Sequence, residues 1–254
     1  MPKVRLDQLL VTRGLAQSRE RARAMILAGH VSVAGQPAAK AGTMVDETAA
    51  LSLREADHPW VGRGGVKLAH ALDVFRVDVA GRLALDVGAS TGGFTDVLLE
   101  RGARCVVALD VGHGQLDWRL RTDPRVVVIE NVNVRHLKAE DLPPDLQTFD
   151  VVTIDVSFIS LRQVLPSIAP RLRPDGRIIA LVKPQFEAGR AEVGKGGIVR
   201  DPVVHERVIA ERTREAHQVG LERVALEPSP IEGAEGNREF FLLLAPVRRG
   251  PEAG

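Results

Sequence analysis

The apolar positions of this chain fall into two blocks. In the first, Leu6, Leu9 and Leu10 recur at helical spacing and Gly14 closes that helix. Ser18 caps a second helix, with Ala22, Met25 and Ile26 on its inner face and Gly29 at its end. Arg19 and Arg23 lie four apart and share one face of it. HVSVAGQPA alternates as a strand does and turns at Ala34-Gly35, and ALSLR at 50–54 offers a further strand. This block predicts a compact helix–helix–strand unit.

Pro59 and Gly62-Arg63-Gly64-Gly65 then read as a linker. From Lys67 the spacing is helical again, through Leu68, Ala71, Leu72 and Phe75. Strands and helices alternate after that. RLALDVG runs through a glycine loop into the helix FTDVLLERG. RCVVALDV, RVVVIE, FDVVTIDVS and GRIIALVKP are the next strands, the last preceded by the turn RLRPDG. DPVVHERVIAERTREAHQVG is a helix, and LERVALEPSP and NREFFLLLAPV are two closing strands. Continuous apolar strands separated by helices mean a sheet buried on both faces. The expected fold is therefore α/β, a doubly wound and mostly parallel seven-stranded sheet. Only the short, turn-rich IEGAEG separates the last two strands, which predicts an antiparallel pair.

The 254 residues suffice for one sizeable core and a small second domain. The net charge is only +1, but its distribution is uneven. Residues 1–40 carry seven cationic side chains (Lys3, Arg5, Arg13, Arg19, Arg21, Arg23, Lys40) against Asp7 and Glu20. A basic head on a mildly acidic body points to a phosphate-facing module. Aromatics are 4% with no Tyr, so base stacking is expected to be poor and nucleic acid to be gripped by Arg and Lys. The single Cys105, in RCVVALD, reads as a small core residue. The seven histidines show no pair at ligand spacing, so no metal site is expected. MPKVRLDQLL lacks an apolar signal core, and FFLLLAPV is far short of the roughly 20 residues of a membrane span. The expected location is the cytoplasm, without membrane.

LDVGASTGGFTD, from Leu85 to Asp96, fits three ligands. A dinucleotide loop needs a glycine where Ser90 stands, and Asp86 would repel a diphosphate. A hydrolase elbow at Ser90 needs an oxyanion loop upstream and a histidine on a loop downstream, but His205 and His217 fall inside a helix pattern. Asp86 before the loop suits a cationic ligand such as the ammonium or sulfonium end of S-adenosylmethionine. Asp110, ending the next strand, can accept from both ribose hydroxyls. Glycines serving only a tight turn are the bland alternative. The chemistry favours the methyl donor.

RLDQLLVTRGLAQSRERARAMILAGHVSVAG resembles the small RNA-binding domain first seen in a ribosomal small-subunit protein. WVGRGGVKL, LDVGASTGGFTDVLL, LDVGHGQL, NVNVRHL, DVSFIS, KPQFEAG and KGGIVRDP together resemble the TlyA family. These are haemolysin-A-type ribosomal RNA 2′-O-methyltransferases with an FtsJ-like catalytic domain. The motifs occur in the family's order across nearly the whole chain; one departure is Gly62, where the family's S-R-G-G-x-K-L has Ser. The resemblance implies an RNA-binding domain over 1–57, a linker over 58–64, a methyltransferase domain over 65–247 and a tail over 248–254. It implies a catalytic Lys-Asp-Lys-Glu set at Lys67, Asp155, Lys183 and Glu239. Lys183 is then the general base, with Lys67 and Asp155 positioning the ribose and Glu239 in support. A lysine acts as a base once burial or a nearby cation lowers its pKa. The donor's site would comprise Asp86, Gly88, Ser90, Gly92, Gly93, Phe94, Asp110, Val111, Asn133 and Asp155. Arg5, Arg19, Arg23, Arg63 and Arg135 are the expected RNA contacts, and Lys195 lies on a glycine-rich loop with the composition of a lid. The implied partners are ribosomal RNA and ribosomal subunits, and the implied target is a cytidine. A catalytically silent RNA-binding protein and a membrane-active haemolysin are the rival classes.

Overall fold

The computed structural model describes residues 3–16, 18–27, 29–38, 40–53, 58–233 and 236–247. The expected tail at 248–254 lies outside them, as do 54–57 at the expected domain boundary and 234–235 in the last turn. The first block forms β1 (Lys3–Arg5), α1 (Leu6–Thr12), α2 (Arg19–Leu27), β2 (Val31–Val33), β3 (Gln36–Pro37), β4 (Met44–Asp46) and β5 (Leu51–Leu53). Ser18 Oγ accepts the Arg21 amide at 3.1 Å and so caps α2. Ala34 and Gly35 take φ of 48° and 79°, which lets β2 fold straight back onto β3. Leu6, Leu10, Ile26 and Val31 close a small core of their own.

At the start of α1, Asp7 is fully buried and gathers three of the basic head's arginines. Arg5 bonds it at 2.9 and 3.0 Å, Arg23 Nε at 3.2 Å and Arg19 Nη2 at 3.4 Å. The Arg5 bonds above all, then Arg23 and Arg19, hold its carboxyl far below the ordinary carboxylate range against the opposing effect of burial. The guanidinium groups remain about half exposed.

The second block comprises α3 (Gly64–Phe75), β6 (Leu83–Val87), α4 (Gly93–Glu100), β7 (Cys105–Leu109), α5 (Trp118–Arg121), β8 (Val126–Ile129), β9 (Phe149–Ile154), α6 (Leu161–Ile168), β10 (Leu172–Val182), α7 (Pro184–Glu187), α8 (Pro202–Gln218), β11 (Leu221–Pro228) and β12 (Phe240–Pro246). The sheet order is β11-β12-β10-β9-β6-β7-β8. One apolar layer includes residues of α3 and α4, and the other residues of α6 and α8. Coverage on both faces is why β6 through β10 read as unbroken apolar runs. RLRPDG, read as a turn, is a bulged excursion within β10, between the pairings Leu172–Phe149 and Arg177–Val151. β12 runs antiparallel to both of its neighbours.

Register decides which residues meet. Val87 lies opposite Leu109 on one side and Ile154 on the other. Gly88, Asp110 and Asp155 therefore leave the sheet at one level, along its carboxyl edge. Val182 pairs with Phe240. Because β12 is reversed, its first residue reaches the edge where its neighbours end, and Glu239 arrives beside Lys183. Glu239 is 3% exposed between strands, so it is no edge charge.

Candidate active site

The loop between β6 and α4 turns by alternating handedness. Gly88, Ser90 and Gly92 take φ of 83°, 48° and 98°. A Cβ on Gly88 would stand 2.5 Å from the Asp155 carbonyl oxygen, so only glycine lets β6 and β9 shed their loops this close. Asp110 pins the loop from the side, accepting the Ser90 amide at 2.8 Å and the Gly112 amide at 2.6 Å. Its carboxylate is thus part of the loop's scaffold as well as a candidate ribose acceptor.

Asp86 lies beneath the loop with no exposed surface. Thr95 Oγ1 donates to it at 2.7 Å and Thr153 Oγ1 at 2.9 Å. Burial pushes its carboxyl up to about 7, the two hydroxyls pull the other way, and Asp155 and Asp110 add to the rise. Asp86, an expected donor contact, lies below the cleft and does not line it.

The cleft holds about 410 Å³ and is lined by both domains. Gly88, Ser90, Gly93, Phe94, Lys67, Asp155 and Lys183 form one side, and Leu27, Gly29 and Lys40 of the N-terminal unit form the other. A narrower recess runs from Ser90 and Asp110 to Gln115, Val128 and Glu130. Val111 is exposed just beyond it. Asn133 is exposed and accepts the Arg135 amide at 3.1 Å, capping the turn Val134–His136. It is outside both recesses.

The four expected catalytic residues form two ion pairs. Lys67, on the buried face of α3, meets Glu239 at 2.5 Å, with side-chain exposures of 11% and 2%. A Cβ on Gly233 would lie 2.0 Å from that carboxylate, so the glycine makes room for it. Lys183, the residue just after β10, meets Asp155 at 2.5 Å and also bonds Ser157 Oγ at 3.1 Å. Burial opposes ionisation of Asp155, but Lys183 and Lys67 outweigh it and hold its carboxyl below the usual range.

The RNA candidates are dispersed. Arg5, Arg19 and Arg23 cluster on Asp7. Arg63 packs its stem near Gly29 and donates to the Glu232 carbonyl at 3.0 Å, between the domains. Arg135 is exposed beyond β8.

Two residues were missed in the sequence. Asn237, 3% exposed, accepts the Val199 amide at 3.1 Å and donates to the Gly197 carbonyl at 3.0 Å. It ties the glycine-rich loop to the strand start that carries Glu239. Phe158 is 86% exposed with φ of 63°, its ring 4.8 Å from that of Phe186. It sits next to Ser157, which lines the cleft. Low aromatic content thus does not deny the site a ring for stacking. The signal for Asn237 was its place two residues before Glu239; nothing local marked Phe158 as exposed.

A family model described as an FtsJ-like methyltransferase matches residues 60–245. A model described as an S4 domain matches residues 4–51. The 16S/23S rRNA (cytidine-2'-O)-methyltransferase TlyA of Mycobacterium tuberculosis is 49% identical over 243 residues, 95% of this chain and 90% of that protein. The chain belongs to the TlyA family of FtsJ-like methyltransferases. Membership implies S-adenosylmethionine as methyl donor. Some TlyA relatives carry another name. Hemolysin A of Brachyspira hyodysenteriae is 39% identical over 238 residues, 94% of this chain and 98% of that protein. A solved structure of a hemolysin-named protein from Streptococcus thermophilus superposes with a TM-score of 0.75 at 43% identity, covering 97% of this chain and 90% of that one. Among the described residues of this TlyA-family chain, no helix is long and apolar enough to cross a membrane.

Proposed function

We propose that this chain is a cytoplasmic ribosomal RNA 2′-O-methyltransferase, acting on a cytidine ribose in small-subunit RNA, large-subunit RNA or both. The observation that carries the reading is the pairing of Lys67 with Glu239 and Lys183 with Asp155 at the sheet edge, beside the glycine loop and facing a basic S4 domain.

The cleft suits a cationic nucleoside. Its loop offers a close backbone approach at Gly88, Asp110 and Asp155 supply negative charge and acceptors, and the deeper Asp86 adds charge when it is ionised. Bound there, S-adenosylmethionine supplies a methyl group on a positively charged sulfur. Only as a neutral amine, its ammonium proton first lost to solvent, would Lys183 Nζ take the proton of the ribose 2′-hydroxyl as that oxygen bonds the methyl carbon and the methyl–sulfur bond breaks. Asp155 fixes Nζ, and Lys67, held by Glu239 on the same side of the cleft, orients the ribose. Displacement at a methyl carbon demands alignment above all, which rigid buried pairs provide.

RNA is held outside the cleft. Three guanidinium groups around one carboxylate leave a net charge of +2 on a preorganised, half-exposed surface. Such a surface reads phosphates without reading sequence and is weakened by salt. Phe158 offers the target base a ring beside the chemistry.

The raised Asp86 carboxyl makes donor binding depend on pH. A carboxyl with a folded pKa of about 7 is protonated below that pH. A cation above it favours the ionised form, so the donor expels the proton and binds more tightly as pH rises through about 7. S-adenosylhomocysteine, whose sulfur is neutral, should show a shallower rise. Calorimetric titration of both between about pH 6 and about pH 8 checks this; equal slopes would remove Asp86 from the donor's surroundings. The function itself is tested by mapping 2′-O-methyl marks on RNA from both purified ribosomal subunits after incubation with the enzyme and donor. A new mark on a cytidine ribose is expected, and none on either subunit would overturn the proposal.

A further inference from the structure

Helix α2 carries arginines on two faces. Arg19 and Arg23 both turn to Asp7. Arg21, two residues along, points about 200° round the helix from Arg19. Its Nη1 meets Asp117 Oδ2 of the methyltransferase domain at 2.7 Å, across 96 residues of chain. Arg21 is thus a basic-head residue that pairs with the catalytic domain and not with its own fold, its side chain 46% exposed.

Asp117 sits where that contact matters. Its backbone amide donates to the Thr91 carbonyl of the glycine loop at 3.1 Å. Its other carboxylate oxygen accepts the Arg119 amide at 2.9 Å and caps α5. The leucines flanking it close on the loop: a Cβ on Gly92 would lie 2.2 Å from Leu120 and 2.8 Å from Leu116. Gln115, two residues before Asp117, lines the narrow recess beside Ser90 and Asp110. One short segment, 115–120, therefore braces the loop, lines the recess and receives Arg21.

We propose that Arg21 and Asp117 are positioning residues that dock the RNA-binding domain on the methyl-donor loop, so that docking of that domain and binding of the donor strengthen each other. Neither residue touches the reacting atoms. Docking holds α5 against Gly92 and keeps Leu27, Gly29 and Lys40 as the outer wall of the cleft. Linkage makes the effect reciprocal: a ligand bound better by the docked form firms α2, which also carries Arg19 and Arg23. The RNA-binding face is then most ordered in the protein already loaded with donor.

This inference rests on the cleft being the donor's site, and the experiment separates the two. S-adenosylhomocysteine affinity is measured by calorimetry for the full chain and for Arg21→Gln, Asp117→Asn, the double variant and Arg21→Lys. Asn at 117 still caps α5, so the fold is kept while the charge is lost. Each neutralising variant should bind about two- to five-fold more weakly, the range of a partly exposed ion pair. The double should be no weaker than either single, and Arg21→Lys should bind as wild type does. Amide hydrogen exchange supplies a second readout: the ligand should slow exchange in α2 of the wild type, and not in Arg21→Gln. Wild-type affinity in Arg21→Gln, additive losses in the double, or α2 protection that survives the substitution would overturn the coupling. A wild-type protein that binds no S-adenosylhomocysteine would overturn the assignment of the cleft, and the coupling with it.

Discussion

Replacing Lys183 with alanine should lower methyl transfer by about 10²- to 10⁴-fold, the usual worth of a general base, while S-adenosylhomocysteine binding changes little. Lys183 follows β10 at the sheet's carboxyl edge, with its ammonium 2.5 Å from Asp155 and 3.1 Å from Ser157 Oγ. The glycine loop proposed as the donor's seat is braced by Asp110 and by segment 115–120, none of which depends on Lys183. Loss of Lys183 therefore removes proton transfer without dismantling the seat. It also frees Asp155 of its nearer cation, leaving Lys67 as the remaining one credited with holding its carboxyl down. Single-turnover methylation of ribosomal RNA, read beside calorimetry, checks both halves. Turnover near the wild-type rate would strip Lys183 of its role.

The Glu239→Gln protein should be less stable by about 3–5 kcal/mol, the cost of leaving one charge of a buried pair unmatched. Lys67 and Glu239 are nearly sealed from water, and Gly233 leaves space for that carboxylate alone. Stability lost in this way says nothing yet about catalysis. The double replacement Lys67→Met with Glu239→Leu separates the two, because an apolar pair of similar size restores most of the lost stability. Urea unfolding should show that recovery, and methyl transfer should stay absent, since no group is left to orient the ribose from α3. Recovered stability together with recovered activity would reduce the pair to a structural tie.

Much of this was legible along the chain because its causes are local. Helix periods, the Ser18 cap, the Ala34-Gly35 turn and the apolar strands depend on residues a few positions apart. The glycine loop with Asp86 and Asp110 could be picked out as a candidate site because strand ends and acidic residues coincide there. The reversed β11–β12 pair could be read from a short turn. The basic helix–helix–strand head could be read from charge and pattern, and its RNA-binding kinship from the resemblance, but its chemistry was only half visible. Asp7 counted as one of two negatives in a basic stretch, yet burial makes it the centre on which three arginines converge.

Residue types, element order and the turn chemistry of the glycine loop were thus settled by short-range chemistry in the amino-acid string. Which lysine meets which acid was settled only in three dimensions. Lys67 and Glu239 are 172 residues apart and meet because β12 enters the sheet reversed beside β10. Asn237 reaches the glycine-rich loop from 38 residues away, and Arg21 reaches Asp117 from 96. Periodicity decides which face of an element is buried; sheet order, register and domain docking decide what that face finds there.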